Sequence, residues 1–324
     1  MASPRPLDLA CLAPAVLVAA CGTVTAPPSL GNVLAQPTGT VELVTASGGY
    51  VYWTGKDSSE IWSIARVSES GGAIETVVTN IAQPGGLAVS GSTVYFTDTP
   101  NSTVLSAPVT GLPAGQTPAV AANVPNPLSL VVVGNDAYFT EAAGFLAGPL
   151  LRVPLDGSTP PVTLAVSLAS SLVSDGTAAY FVVTGATSST DIESAIDRDV
   201  GSDQAAQSLF GWLQPVSAIA VNGTDVVSVV LETSSQTVFD LVVTPVTGGA
   251  PLTLATGLQQ NVSVVATSTA AYWSDGGSTW TVPLSGGMPT QVSSYGAQLT
   301  VDGDQVFGVE GGTFGLAIVA ESAM

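Results

Sequence analysis

The chain repeats one short phrase along most of its length. A tight turn followed by an aromatic pair recurs in SGSTVYFTDTP (90–100), VGNDAYFTEAAG (133–144) and TSTAAYWSDGG (267–277). Aligned on this pair, or on the residues that replace it, seven units follow one another at spacings of 43, 43, 42, 47, 45 and 35 residues. Units of this length are typical of β-propeller blades, which have four strands each. The anchors are Tyr52-Trp53, Tyr95-Phe96, Tyr138-Phe139, Tyr180-Phe181, Val227-Ser228, Tyr272-Trp273 and Phe307-Gly308.

Each unit divides into short apolar strands separated by turn residues. In the second unit these are GLAVS (86–90), TVYFT (93–97), TVLSAPV (103–109) and PAVAANV (118–124). Strands of this length also occur in β-sandwiches, but self-similarity over seven units favours a propeller. The sequence therefore predicts one all-β domain over 33–324, a seven-bladed β-propeller, with a six-bladed ring as the alternative.

The last unit has only three strands before the chain reaches Met324. The segment NVLAQPTGTVELV (32–44) begins like the missing fourth strand. We expect Val33–Ala35 to supply the outer strand of the seventh blade, because this closes the ring without leaving that blade short of its edge.

The N-terminus has the features of an export signal. Residues 9–20 form an apolar run of signal-peptide length, too short for a comfortable membrane span. The run ends in Val18-Ala19-Ala20-Cys21, which resembles the lipobox of bacterial lipoproteins. That resemblance implies a signal peptide over 1–21, lipid attachment at Cys21 and a flexible tether over 22–32. The alternative is an ordinary cleaved signal and a secreted, soluble protein.

Charge and composition exclude several function classes. Five Lys plus Arg stand against 24 Asp plus Glu, a net charge of −19, which opposes binding to nucleic acid. The chain has no histidine, which removes a Ser-His-Asp triad and His-ligated zinc. Lys56 is the only lysine and lies in the polar segment GKDSSE, where we expect it to be solvated.

The repeat phrases VYWTG, VYFTD, AYWSD, LLRVPLDG and WTVPLSGG resemble those of bacterial secreted propeller proteins and, more loosely, the YWTD and NHL families. The resemblance covers about residues 33–324. It implies the fold and little about activity, because propellers serve as binding proteins, lyases and hydrolases alike. Similarity to streptogramin-lyase-type propellers would imply a catalytic histidine, which this chain lacks.

Four carboxylates lie three residues after the anchor aromatic, at Asp98, Glu141, Asp275 and Glu310. Equivalent repeat positions lie on one face of the ring, so these side chains are a candidate calcium site. Similarity to gluconolactonase-type propellers would then suggest a metal-dependent lactonase. The alternative is that each carboxylate accepts hydrogen bonds from nearby turn amides and ends its strand.

The densest acidic run is DIESAIDRDVGSD (191–203). Aligned on the third repeat, Arg198 falls at the position of Arg152, so the run is most simply a degenerate third strand with its loop. Asp191 and Glu193 are candidate binding residues, because the connections 141–148 and 184–194 are long and irregular where the first-hairpin turns are short and alike.

The sequence favours a monomeric, non-catalytic, lipid-anchored protein of the cell envelope. Its predicted role is to bind a protein or an envelope polymer, with a basic partner as one candidate, and without a resident cofactor. The alternative is a calcium-dependent hydrolase of the lactonase type.

Overall fold

The computed structural model describes residues 32–143, 146–166, 169–186, 192–201, 206–212, 214–232, 237–259, 262–275, 277–294, 297–312 and 315–321. Every regular element within these ranges is a β-strand. The predicted signal peptide over 1–21, with Cys21, lies outside the described residues, and so does the predicted tether apart from Asn32. Asn32 is the first residue of strand β1 rather than the last residue of the tether.

The described strands form seven four-stranded antiparallel sheets, which we number as blades 1 to 7. In each of blades 1 to 6 the four strands pair in sequence order. Blade 1 contains β2 (Leu43–Ser47), β3 (Tyr50–Lys56), β4 (Trp62–Ser68) and β5 (Glu75–Ile81). Blade 2 contains β6 (Leu87–Ser90), β7 (Thr93–Asp98), β8 (Thr103–Pro108) and β9 (Ala119–Asn123). Blade 3 contains β10 (Pro127–Val133), β11 (Asp136–Ala143), β12 (Leu146–Pro154) and β13 (Val162–Ala165).

The remaining blades follow the same plan, except that the last one uses both ends of the described chain. Blade 4 contains β14 (Ala169–Ser174), β15 (Ala179–Ala186), β16 (Ile192–Asp199) and β17 (Gln207–Trp212). Blade 5 contains β18 (Val216–Val221), β19 (Asp225–Leu231), β20 (Phe239–Pro245) and β21 (Leu252–Leu258). Blade 6 contains β22 (Ser263–Ala266), β23 (Ala270–Ser274), β24 (Thr279–Pro283) and β25 (Thr290–Ser293). Blade 7 contains β26 (Ala297–Asp302), β27 (Gln305–Gly312), β28 (Gly315–Glu321) and β1 (Asn32–Ala35).

The blades form a closed ring around the first strand of each. The first strands of successive blades contact one another from β2 through β6, β10, β14, β18, β22 and β26, and β26 contacts β2 again. Strand β1 pairs antiparallel with β28, with Asn32 opposite Ala320 and Val33 opposite Val319. The seven-bladed ring, and its closure by Val33–Ala35, are both confirmed.

The core lies between blades rather than within them. One buried cluster, for example, joins Tyr52 and Ile64 of blade 1 to Phe96 of blade 2, and each is at most 2% exposed. Similar clusters fill the other interfaces around the ring. Apolar residues on both faces of a strand are therefore buried, as the sequence predicts for a blade held between two others.

The turns divide between two ends of the ring. Turns between the first and second strands, such as Gly48-Gly49 and Gly303, define what we call the first-hairpin face. Connections between the second and third strands emerge at the opposite end, which we call the second-hairpin face, because adjacent strands are antiparallel. The carboxylates predicted to form a calcium site lie toward the second-hairpin face.

Candidate functional sites

Two of the four predicted calcium ligands bind local turn atoms. Asp98 ends β7 and is 8% exposed. It accepts hydrogen bonds from the backbone N and from Nδ2 of Asn101, at 3.2 and 2.9 Å. Asp275 follows β23 and accepts from the backbone amides of Gly277 and Ser278, at 3.1 and 2.9 Å. These contacts are the ones that the turn-amide interpretation predicts.

The other two predicted calcium ligands, Glu310 and Glu141, lie inside strands. Glu310, in β27, is 9% exposed and accepts a hydrogen bond of 2.8 Å from Ser293 Oγ at the end of blade 6, which joins two blades. Glu141, in β11, lies opposite Pro127 of β10. Within the described part of the chain, no three or more Asp, Glu, Cys or His side chains are grouped so that they could hold a metal ion. Calcium binding at these four positions stays a prediction, which a calorimetric calcium titration would test.

The acidic run 191–203 supplies a third strand, as predicted. Its residues from Ile192 to Asp199 form β16, and Arg198 lies opposite Tyr180 just as Arg152 lies opposite Tyr138. Asp191 lies outside the described residues.

The two long connections differ from the irregular loops that the sequence predicted. In blade 4, Gly185 lies opposite Glu193, so Glu193 is a strand residue rather than a loop residue. In blade 3, Ala142 and Ala143 lie opposite Ala147 and Leu146. Backbone pairing continues into both segments, although their glycines and small residues are also typical of loops. The described parts of both connections are therefore β-hairpins.

An ion cluster that the sequence did not predict joins blades 3 and 4. Asp199, which is 3% exposed, accepts hydrogen bonds from Tyr138 Oη at 2.6 Å and from the backbone N of Gly201 at 2.8 Å. It also forms an ion pair with Arg152 Nη1 at 3.1 Å. Burial, reinforced by the neighbouring Asp199, raises the pKa of the Tyr138 phenol above its ordinary value. Arg152 and Tyr138 lie 47 and 61 residues from Asp199 in the sequence, so no local pattern links them to it.

A pair of acidic side chains, Glu69 of blade 1 and Asp302 of blade 7, lies at the joint between these two blades. The backbone N of Gly49 donates to Asp302 Oδ2 at 3.2 Å, and the backbone N of Glu69 donates to the carbonyl of Gly49 at 3.0 Å. Burial, together with the side-chain hydrogen bond and the charge of Asp302, raises the pKa of Glu69 to about 7. This joint is therefore sensitive to protonation near neutral pH.

Lys56 is engaged as a cation. Its Nζ forms an ion pair of 2.8 Å with Glu60 and lies 5.3 Å from the ring centre of Trp62. The hydrogen bond and charge of Glu60 raise the pKa of Lys56, whereas an amine that acts as a base or nucleophile near neutral pH needs a lowered pKa.

The central channel forms a cavity with a volume of about 810 Å³. Its wall comes from the first strands of all seven blades and includes Val44, Leu87 and Leu172. Its lining continues to the first-hairpin turns, where it includes Asp175, Gly176 and Asn222 in blades 4 and 5 and Asp302, Gly303 and Asp304 in blade 7. The channel therefore opens at the first-hairpin face.

A second cavity of about 450 Å³ lies between the outer strand of blade 5 and the middle of blade 6. Trp273 and Trp280, which are opposite each other in β23 and β24, stack there with ring centres 6.4 Å apart and planes inclined by 15°. Trp273 is 4% exposed, so its ring belongs mainly to the packing between these blades.

The described residues contain no helix of the length and apolarity needed to cross a membrane. No protein-family model matches the chain, and no curated protein matches it in sequence.

Solved structures resemble the chain in fold. The β-propeller domain of the Trilobed protease from Pyrococcus furiosus is 12% identical, with a TM-score of 0.64 over 89% of this chain and 97% of that one. Apo AztD from Citrobacter koseri is 10% identical, with a TM-score of 0.59 over 87% and 88%. A puromycin-hydrolyzing peptidase from Mycobacterium tuberculosis is 13% identical, with a TM-score of 0.58, and the chain spans 55% of its length. Identities this low show a shared β-propeller fold alone.

Proposed function

We propose that this β-propeller is a monomeric, non-catalytic lipoprotein of the cell envelope that binds a protein or an envelope polymer. The observation that carries the proposal is the pair of extended hairpins on the second-hairpin face. Strands β11, β12, β15 and β16 have 8, 9, 8 and 8 residues, and β27 and β28 of blade 7 have 8 and 7, whereas the corresponding strands of blades 1, 2, 5 and 6 have 7 or fewer. Blades 3 and 4 are neighbours, so their hairpins project side by side from a rigid ring.

Paired backbone makes such hairpins a better platform for recognition than open loops. A ladder holds side chains in fixed positions, and less conformational entropy is lost when a partner binds. Recognition on elements supported by a rigid frame is a common arrangement in proteins.

The chemistry of the described side chains also supports binding rather than catalysis. Arg152, Asp199 and Glu310 hold blades together, and Lys56 is paired with Glu60. The chain has no histidine that could act as an acid or base near neutral pH. With a net charge of −19, the partner surface that fits best is basic or bridged by cations.

The hairpin of blade 4 is the part to remove in a test. Thr184 and Ser194 lie opposite each other, so a two-residue Asn-Gly turn can join them without changing the register of the frame and without removing Ser194, which accepts a hydrogen bond from the backbone N of Val216 in blade 5. The matched control shortens the hairpin of blade 7 by joining Gly311 to Leu316, which also lie opposite each other. Both variants should keep the melting temperature of the wild type within a few degrees, because shortening a surface connection changes stability little.

Crosslinking in intact envelopes then reads out the partner. We expect the blade 4 variant to lose the crosslinked product that wild type and the blade 7 variant both form. Retention of that product by the blade 4 variant, or its loss in the blade 7 variant alone, would contradict the assignment of the binding surface.

The membrane anchor is tested separately at Cys21. Several acyl chains on one residue bind a membrane firmly, whereas a single chain of myristoyl length binds only marginally. The Cys21→Ser protein should therefore move from the membrane fraction to the soluble fraction of the envelope. A wild-type protein that is already soluble after processing would refute the anchor and leave the binding role open.

A further inference from the structure

The central channel has a wall that is suited to an apolar ligand. Its lining includes half-buried aliphatic side chains from six of the blades, which keep part of their surface toward the cavity: Val44, Leu87, Val131, Leu172, Val264 and Val301. Removing such surface from water is favourable, at about 25 cal/mol for each Å² that a ligand covers. The volume of about 810 Å³ lies within the range of roughly 300–1,000 Å³ that is typical of ligand pockets.

The charged groups in the lining all have the same sign. They are Asp175, Asp302 and Asp304, and the described residues of the lining include neither lysine nor arginine. The basic residues of the described ranges are paired elsewhere, Lys56 with Glu60, Arg66 with Glu75 and Arg152 with Asp199, while Arg198 lies 5.8 Å from the ring centre of Tyr180. The mouth of the channel therefore has a negative charge that no basic side chain of the lining offsets.

Two of these carboxylates are held in the charged form by their hydrogen bonds. Burial alone would raise the pKa of Asp175, but hydrogen bonds from Thr177, Ala178 and Tyr180 outweigh it and lower the pKa. The hydrogen bond from Ser268 lowers the pKa of Asp304. Both groups are fixed in position before any ligand arrives, so a cation at the mouth needs no rearrangement of them.

A cation at the mouth would directly stabilise the third carboxylate, that of Asp302. Asp302 lies beside Glu69, whose Oε1 is buried and has no hydrogen-bond partner among the described atoms. A positive group at the mouth would reduce the repulsion between these two acids, a gain that a neutral or anionic ligand cannot provide.

We propose that the central channel is a binding site for an organic cation with an apolar body. The hydrocarbon part lies against the aliphatic wall, and the positive group lies at the mouth beside Asp302 and Asp304 of blade 7, across the channel from Asp175 of blade 4. The site is distinct from the proposed partner surface, because the channel opens on the first-hairpin face and the extended hairpins of blades 3 and 4 project from the opposite one.

Three tripeptides of one apolar body test the role of charge. At pH 6.5, Leu-Leu-Phe amide with a free amino terminus is cationic, its N-acetyl amide is neutral, and its N-acetyl acid is anionic. Calorimetric titration of the full chain should give the tightest binding for the cationic peptide, roughly tenfold weaker binding for the neutral one, and the weakest for the anion. Equal affinities for the three peptides, or no binding of the cationic one, would overturn the proposal.

Variants at the mouth locate the charge effect. In the D302N/D304N double variant each side chain keeps an oxygen that can accept its backbone hydrogen bond, so the frame should remain folded. We expect roughly threefold to tenfold weaker binding of the cationic peptide and unchanged binding of the neutral one. The matched control is D57N/E60Q, which removes two charges on the second-hairpin face and should leave both affinities unchanged. Equal losses in the two double variants would show a general charge effect and refute the site.

Methyl NMR gives a readout of position that does not depend on affinity. The cationic peptide should shift the methyl signals of Val131, Leu172 and Val264, and should leave Val120 on the outer strand of blade 2 unmoved. Shifts confined to outer-strand methyls would place the peptide elsewhere and contradict the channel. If D302N/D304N lowers the melting temperature strongly, the single variant D304N replaces it in the calorimetric titration, since this substitution changes only the charge of one carboxylate.

Discussion

The phenol of Tyr138 in blade 3 donates a 2.6 Å hydrogen bond to the carboxylate of Asp199 in blade 4, where Arg152 is also bound. A buried cluster of this kind is costly to break from one side, because the partner that remains is left charged and desolvated. The adjacent blades are therefore joined by polar groups as well as by apolar packing.

We expect Asp199→Ala to lower the free energy of unfolding by about 3 kcal/mol or more, because it removes a buried carboxylate that pairs with Arg152 and accepts the hydrogen bond of Tyr138. The control is Glu60→Ala, which removes the carboxylate paired with Lys56, where the Glu60 and Lys56 side chains are 78% and 32% exposed, and it should cost under about 1 kcal/mol. Urea denaturation of both variants gives the comparison. Similar losses for the two would show that burial does not govern these ion pairs.

Closure of the ring by β1 predicts a contrast between neighbouring residues. Leu34 is 8% exposed and packs in the cluster between blades 7 and 1, whereas Val33 is 55% exposed. Leu34→Ala should cost about 2 kcal/mol of unfolding free energy, and Val33→Ala under about 0.5 kcal/mol. A chain that starts at residue 40 should melt lower, or aggregate more, than one that starts at residue 28. Equal melting temperatures would contradict closure by this strand.

Glu69 predicts a loss of stability as the pH rises. Its pKa is about 7 in the folded protein and near 4.5 when unperturbed, so the folded state binds the proton more tightly than the unfolded state does. The unfolding free energy contributed by this group should therefore fall between about pH 4.5 and pH 7. Glu69→Gln should lessen that fall when urea denaturation is compared at pH 5 and pH 8. Parallel pH profiles for wild type and variant would exclude the Glu69–Asp302 pair as the cause. The control is Glu75→Gln, which changes an exposed carboxylate.

Gly86 is predicted to tolerate no side chain. A Cβ on this residue would lie 2.6 Å from both Cβ and the backbone N of Leu130 in blade 3, atoms that cannot move without shifting the strand. Gly86→Ala should cost about 1–3 kcal/mol through this overpacking. Gly211→Ala is the control, because its new Cβ would meet nothing nearer than 3.7 Å. Thermal unfolding of both proteins checks the difference, and equal melting temperatures would mean that the blades can separate locally.

The periodic part of the structure could be predicted from the sequence because each blade repeats one local pattern. The aromatic anchors lie in second strands and are mostly buried, with Tyr138, Phe139, Tyr180 and Phe181 fully so. The third strand that contains Arg198 and the closing strand at Val33–Ala35 follow from the same alignment.

What the sequence could not predict depends on contacts between blades. The Arg152–Asp199 pair and the approach of Glu69 to Asp302 join residues far apart in the chain, and repeat spacing gives no information about which side chains of neighbouring sheets meet. The length of the blade 3 and blade 4 hairpins was missed for another reason. Glycine and small polar residues such as those near Gly185 are typical of loops, yet backbone pairing holds them extended.

The pairing of β1 with β28 has a consequence for biosynthesis. Strand β1, which completes the ring, precedes all the other described strands in the chain, and its partner β28 follows all of them. Blades 1 to 6 can each assemble from neighbouring segments as the chain emerges, whereas β1 must remain unpaired until β28 has been synthesised. Contacts so distant in sequence form slowly, and an unpaired edge with an apolar residue such as Leu34 favours intermolecular association in the meantime. The yield of correctly assembled protein should therefore depend on how that first strand is shielded until the last one is available.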